Sequence, residues 1–209
     1  MWPESPETQE LLDQARQGQA GAVDRLLTRH REPVRRMIAL RLDAKLGRRV
    51  DASDIVQDVM LEASRRLDEY LRHPAMPFHL WLRHIAKDRV IDAHRRHRQA
   101  QRRSLDREQP LQPAGLGDQS SLELAAAFID RELTPASAAI RHELERRFAQ
   151  ALGELDEEDR EVILMRHFEQ LSNQDVAAAL GLTESAAAMR HLRALRRLRA
   201  RLLPGQERK

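Results

Sequence analysis

Cysteine is absent from the 209 residues, which excludes disulfides and thiolate metal sites. Aromatic residues make up only 3% against 41% hydrophobic, so any core is built from Leu, Ala, Val and Ile. Few β-branched runs are available for sheet, and helices packed on helices are the expected architecture. No apolar run approaches the length of a membrane span. The start, MWPESPETQE, is acidic and lacks the apolar centre of a signal peptide. The expected location is the cytoplasm, with no membrane insertion. Lysine is nearly missing as well: of 36 basic residues only Lys45, Lys87 and Lys209 are lysine, and the rest are arginine. Arginine's planar fork binds phosphate or guanine through two hydrogen bonds at once. No glycine-rich phosphate loop and no nucleophile–base pair is evident, so the sequence gives no sign of an enzyme or of a cofactor.

The net charge of +3 hides an uneven layout. Arg83 to Arg107 carries nine basic residues against three acids, and Arg190 to Lys209 carries eight against one. Between them ELDEEDRE, Glu154 to Glu161, holds six acids and Arg160. Two basic stripes on separate segments suit two contacts with a polyanion. The acidic stretch is placed to cover a basic face.

Leu171 to Leu198 reads as two helices joined by a tight turn. Ser172 and Asp175 have the spacing of a capping box. Val176, Ala177 and Leu180 share an apolar face, Gly181 stands where the chain must turn, and Thr183 is placed to cap the second helix. On that second helix Ala187, Ala188, Leu192, Leu195, Leu198 and Leu202 fall on one side. Ser185, Met189, Arg190, Arg193, Arg197 and Arg201 fall on the other. A basic helix held across a shorter one is how a helix-turn-helix enters the major groove.

Upstream, helical spacing predicts a short helix over 6–18 and another over 20–37 that Pro33 interrupts or kinks, continuing from Ile38 to Leu46. Asp51 or Ser53 is placed to cap a helix to Leu71. Its buried stripe is Ile55, Val56, Val59, Met60, Ala63, Leu67 and Tyr70, and Asp54, Gln57, Asp58 and Glu62 lie opposite. A bend between Pro74 and Pro77 leads into a long helix to about Arg103. There Phe78, Trp81, Leu82, Ile85, Ala86 and Ala93 lie on one side, and Arg83, His84, Lys87, Asp88, Ile91, His94 and Arg95 on the other. Glu108 to Ser121 is rich in Pro, Gly, Gln and Ser and reads as a flexible linker, with a short helix over 122–133. Thr134-Pro135 is a helix-start pair, and Asp156 with Asp159 begins a further helix whose Val162, Ile163, Met165 and Phe168 face inward. The fold class is all-α: two small helical domains joined by a flexible linker, the C-terminal one a helix-turn-helix.

The segments 51–59, 78–86 and 92–96, followed by 155–163 and 171–198, resemble the RNA polymerase sigma factors of the sigma-70 family, in the small extracytoplasmic-function (ECF) branch that keeps only regions 2 and 4. The resemblance implies region 2 over 1–104, a linker over 105–134 and region 4 over 135–209. It implies that Asp54, Gln57 and Asp58 dock on the β′ clamp helices of core RNA polymerase. Tyr70, Phe78, Trp81, Arg83, Lys87, Arg95 and Arg96 are then expected to bind and open the −10 element. Ser185, Met189, Arg190, Arg193 and Arg197 are expected to bind the −35 element, with the Val162 to Phe168 helix against the β flap. The implied protein is a non-catalytic subunit, a monomer when free, for which the family also admits an anti-sigma partner. The chain departs from the family's habit at Ala188, where a lysine is common.

Other readings were open from residues alone. Trp81, Leu82 and Ile85 at helical spacing are the pattern of a core rather than of a stacking platform. His84 with Asp88, His94 with His97, and Asp54, Asp58 and Glu62 have spacings that hold metals, but the histidines lie among arginines that repel a cation. A stand-alone helix-turn-helix regulator that binds duplex DNA as a dimer is the alternative function.

Overall fold

A computed structural model describes residue 2 and residues 6–42, 51–103 and 138–202. The chain divides into two compact units, 1–111 and 112–209. The expected linker, the helix over 122–133, the Thr134-Pro135 start and the stretch from Asp43 to Leu46 lie outside the described residues.

The first unit is built from α1 (Pro6–Arg16), α2 (Ala22–Ala39), α3 (Ala52–Arg72) and α4 (Phe78–Arg103). Helix α2 runs through Pro33 without interruption, and it ends at Ala39 instead of continuing toward Leu46. Gly21, in the left-handed region at φ 73°, starts it. Asp51 is the cap of α3, accepting from the Ser53 N–H at 2.9 Å. The expected stripe of α3 is buried except for Met60, which is half-buried.

Helix α4 departs from a two-sided pattern. Phe78, His79, Leu80, Leu82, Arg83, Ile85 and Ala86 are all buried, because both α2 and α3 pack on it. Its opening turns are therefore largely wrapped, leaving only a narrow outer line through Trp81, His84, Lys87 and Asp88. Tyr70, Phe78 and Trp81 pack at 4.8–5.5 Å between ring centroids, and the Tyr70 hydroxyl donates to the Met76 carbonyl at 3.0 Å. The trio closes the corner between α3 and α4. Deeper, His30 is fully buried between Trp2 and the edge of Phe78, with its Nε2 3.4 Å from the Thr8 hydroxyl. Its pKa is lowered to about 4 by burial first, then by the nearby His79 and Arg29.

The second unit holds α5 (Ala138–Gly153), α6 (Glu157–Ile163), a π-helical turn (Leu164–Phe168), α7 (Asn173–Leu180) and α8 (Glu184–Leu202). Asp156 caps α6, accepting from the Asp159 N–H at 2.8 Å. The π turn was not legible in the spacing. It widens the backbone bond to Glu169 N–H on the Leu164 carbonyl, 3.0 Å, and the chain leaves it through Gln170 at φ 56°. Val162, Ile163, Leu164, Met165 and Phe168 are all buried. The capping box of α7 is formed in full: the Asp175 N–H donates to the Ser172 hydroxyl and the Ser172 N–H to the Asp175 carboxylate. Gly181 ends α7 at φ 64°, and the Leu182 N–H reaches back to the Ala177 carbonyl at 2.9 Å. The Thr183 hydroxyl receives the Ala186 N–H at 3.2 Å.

His167, on the π turn, and His191, on α8, meet Nε2 to Nε2 at 2.8 Å with centroids 5.0 Å apart. That separation makes the contact nearly head-on, so one Nε2–H donates to the lone pair of the other, whose ring must be neutral. Burial, then the neighbouring His191 and Arg166, hold the His167 pKa at about 4. His191 is lowered as well, by burial and then by Arg166.

A Cβ added at Gly181 meets nothing within 4 Å, so Gly181→Ala carries only backbone strain. It should destabilise the C-terminal unit by about 1–2 kcal/mol, with Gly181→Asn milder, read by urea unfolding. Acid should weaken both units. The unfolded chain gains protons at His30 and His167 near pH 6.5, and the folded chain takes them only near pH 4. The histidine contribution is thus complete above 6.5 and is lost as pH falls toward 4. Calorimetry should show melting temperatures falling across that window, with His167→Gln flattening the fall of the C-terminal transition.

Candidate nucleic-acid interface

The cationic helix α8 is held on its inner side by Ala187, Ala194, Leu198 and Leu202, all buried. Ala188 and Leu192, expected among the core residues, are exposed, and Leu195 is half-buried. Ala194 takes the central core position instead. The small alanines at 187 and 194 let α8 lie close against its neighbours, and Asn173 ties its start to α7 by donating to the Glu184 carbonyl at 2.8 Å.

The arginines of α8 divide between two stripes. Arg190, Arg197 and Arg201 face the acidic segment. Arg190 pairs with Glu158 at 3.0 Å and Arg201 with Glu154 at 3.0 Å. Arg197 pairs with Asp156 at 2.7 Å and with the buried Asp159 at 2.5 Å. Its guanidinium therefore holds both the cap of α6 and the residue whose N–H that cap receives. Arg190 and Arg197, expected at the −35 element, thus lie against carboxylates of the same unit in this structure. The other stripe is open. Ser185, Met189, Arg193 and Arg196 are exposed, and no ion pair to Arg193 or Arg196 occurs among the described residues. Arg196 was missed in the sequence, although it lies three residues beyond Arg193 and seven beyond Met189, on one helical edge.

In the first unit the residues expected to bind DNA separate by burial. Arg83 is only 1% exposed and is engaged inside the fold, not on its outer face. Tyr70 and Phe78 are buried in the corner cluster, and only Trp81 keeps a partly exposed ring. Lys87 is half-buried, and Arg95 and Arg96 are exposed. Arg95 leans on Asp92 at 2.9 Å. His94 donates to the Arg41 carbonyl, 3.0 Å. Among the described residues no three metal-ligating side chains come together.

On α3, Asp54, Gln57 and Asp58 are exposed along one edge. Leu61, one turn on, is 52% exposed beside them. Glu62 turns aside to pair with Arg89 at 3.1 Å. The Val162 to Phe168 segment is largely core, with only Arg166 and His167 partly exposed. No helix among the described residues is long and apolar enough to cross a membrane.

Residues 26–100 match the family profile Sigma-70 region 2, and residues 145–198 match Sigma-70, region 4. The chain is 35% identical over 153 residues to the RNA polymerase sigma factor CnrH of Cupriavidus metallidurans, covering 73% of each chain. A solved structure of CnrH in complex with the cytosolic domain of CnrY superposes with a TM-score of 0.55 at 26% identity, covering 91% of this chain and 93% of that one. The ECF RNA polymerase sigma factor BldN of Streptomyces coelicolor is 27% identical over 98% of this chain and 69% of its own. The sigma factor RpoE of Bartonella quintana, solved in complex with the anti-sigma factor NepR, shares the fold at a TM-score of 0.57 and 19% identity, covering 90% of this chain and 99% of that one. With both conserved regions present in chain order and a relative of this identity matched along most of its length, the chain belongs to the ECF branch of the sigma-70 family of RNA polymerase sigma factors and directs promoter-specific transcription.

Proposed function

We propose that this sigma factor works by dividing three contacts between its two units. The exposed edge of α3, Asp54, Gln57 and Asp58 with Leu61 beside them, docks on the β′ clamp helices of core polymerase. Carboxylates and an amide around one apolar side chain suit a basic partner surface. The outer face of α4, with Lys87, Arg95, Arg96 and the edge of Trp81, receives the −10 element and its unstacked bases, each stacked base contributing roughly 1–3 kcal/mol. Helix α8 enters the major groove of the −35 element with Ser185, Met189, Arg193 and Arg196. The two regions correspond to 1–104 and 135–209, joined over 105–134. The protein is a non-catalytic cytoplasmic subunit and a monomer when free, and an anti-sigma factor is a further partner.

One observation carries this reading: the solvent-facing edge of α8 keeps arginines with no acidic partner among the described residues, while the next stripe of the same helix is neutralised. A helix that served only as a solvated surface would not need its cations sorted in this way. A dimeric stand-alone regulator would use the same helix, so the distinction rests on the polymerase.

Run-off transcription with purified core polymerase should give promoter-dependent products on templates from its own genome. Asp58→Ala should lower core affinity and product together; equal core binding would remove α3 from the interface. Arg193→Ala should reduce the salt slope of −35 binding by about one. Arg197→Ala should leave that slope unchanged and instead destabilise the C-terminal unit by about 1–3 kcal/mol, since it strands the buried Asp159 carboxylate. The two variants are compared by binding titrations at several salt concentrations and by thermal unfolding.

A further inference from the structure

The leading edge of α8 carries very little that can hydrogen-bond to a base. Its exposed residues over the first two turns are Glu184, Ser185, Ala186, Ala188 and Met189. Next along the same edge comes Leu192, and only then Arg193 and Arg196. Met189 is 52% exposed and Leu192 is 40% exposed, two of the four large apolar side chains left uncovered among the described residues. Neither belongs to the core, since the buried side of α8 is filled by Ala187, Ala194, Leu198 and Leu202.

The major groove offers one apolar landmark, the C5 methyl of thymine. Reading a purine by paired hydrogen bonds takes Arg, Lys, Asn or Gln, and none of these stands on the exposed edge of α8 before Arg193. Met189 and Leu192 are three residues apart, so their side chains lie roughly 5–6 Å from each other on one face. That spans one to two base-pair steps of about 3.4 Å. Arg193 and Arg196 follow on the same edge, and their charge complements the phosphates that border the groove.

We infer that Met189 and Leu192 set the −35 preference of this sigma factor by packing on thymine methyl groups one or two base pairs apart, with Ala188 leaving room for that approach. This rests on the reading of α8 as the −35 helix. Leu192 is then a specificity residue where the sequence pattern had placed it in the core.

The test uses holoenzyme assembled from core polymerase and the full chain. A −35 preference is first selected from randomised duplexes. Each thymine of the selected site is then replaced by uracil, which removes the methyl group and nothing else. Binding should weaken about fourfold at one or two positions, the loss expected for one buried methyl group. Met189→Ala or Leu192→Ala should abolish the difference between thymine and uracil at one of those positions while retaining the salt slope. If selection returns a preference and uracil binds as well as thymine throughout, or the selected site lacks thymine, this inference is overturned and the −35 reading stands. If selection returns no −35 preference at all, the reading of α8 fails and the inference fails with it.

Discussion

The grip of one guanidinium on two carboxylates governs the C-terminal unit. Arg197 reaches from α8 to Asp156 and Asp159 at the start of α6. Asp156 is at the same time the cap that begins α6. A local event, starting a short helix, and a tertiary one, docking the recognition helix, therefore share one carboxylate. A helix of seven residues is too short to persist alone, so the two events stabilise each other. Arg190 and Arg201 extend the contact on either side with Glu158 and Glu154. Surface pairs of this kind contribute little individually, but they fix which edge of α8 turns inward and so which edge is left for DNA.

The first unit is governed by how completely α4 is wrapped. With α2 and α3 both against it, its opening turns keep only a narrow outer line, at Trp81 and His84. Side chains that look like a cationic edge in a helical projection, Arg83 above all, are then core. What stays uncovered is the line from the edge of Trp81 through Lys87 to Arg95 and Arg96.

These cases also show what the sequence could and could not disclose. Caps and turns were readable because they depend on residues a few positions apart: Ser172 with Asp175, Gly181, Asp51, and Asp156 with Asp159 all took the expected roles. The apolar stripe of α3 was readable because its neighbours cover one side and leave Asp54, Gln57, Asp58 and Leu61 exposed on the other. Arg83 was not, since periodicity counts faces but does not say how many of them are covered. Leu192 and Ala194 exchanged places for a related reason. The spacing favoured the larger apolar residue for the interior, whereas close helix approach selected the smaller. The split of α8 into two cationic stripes required knowing that the acidic segment lies against it, a contact between residues about forty positions apart in the chain.

The π turn at Leu164–Phe168 carries a consequence for comparing this chain with its relatives. A π turn accommodates one residue more than an α-helical turn, so the chain leaves this helix about 100° further round its axis than it would leave a plain one. In a relative that keeps a plain helix here, the non-helical residues after Phe168 have to make up that difference before the next helix begins at Asn173. The place to look for an inserted or missing residue between two such chains is therefore between Ile163 and Ser172.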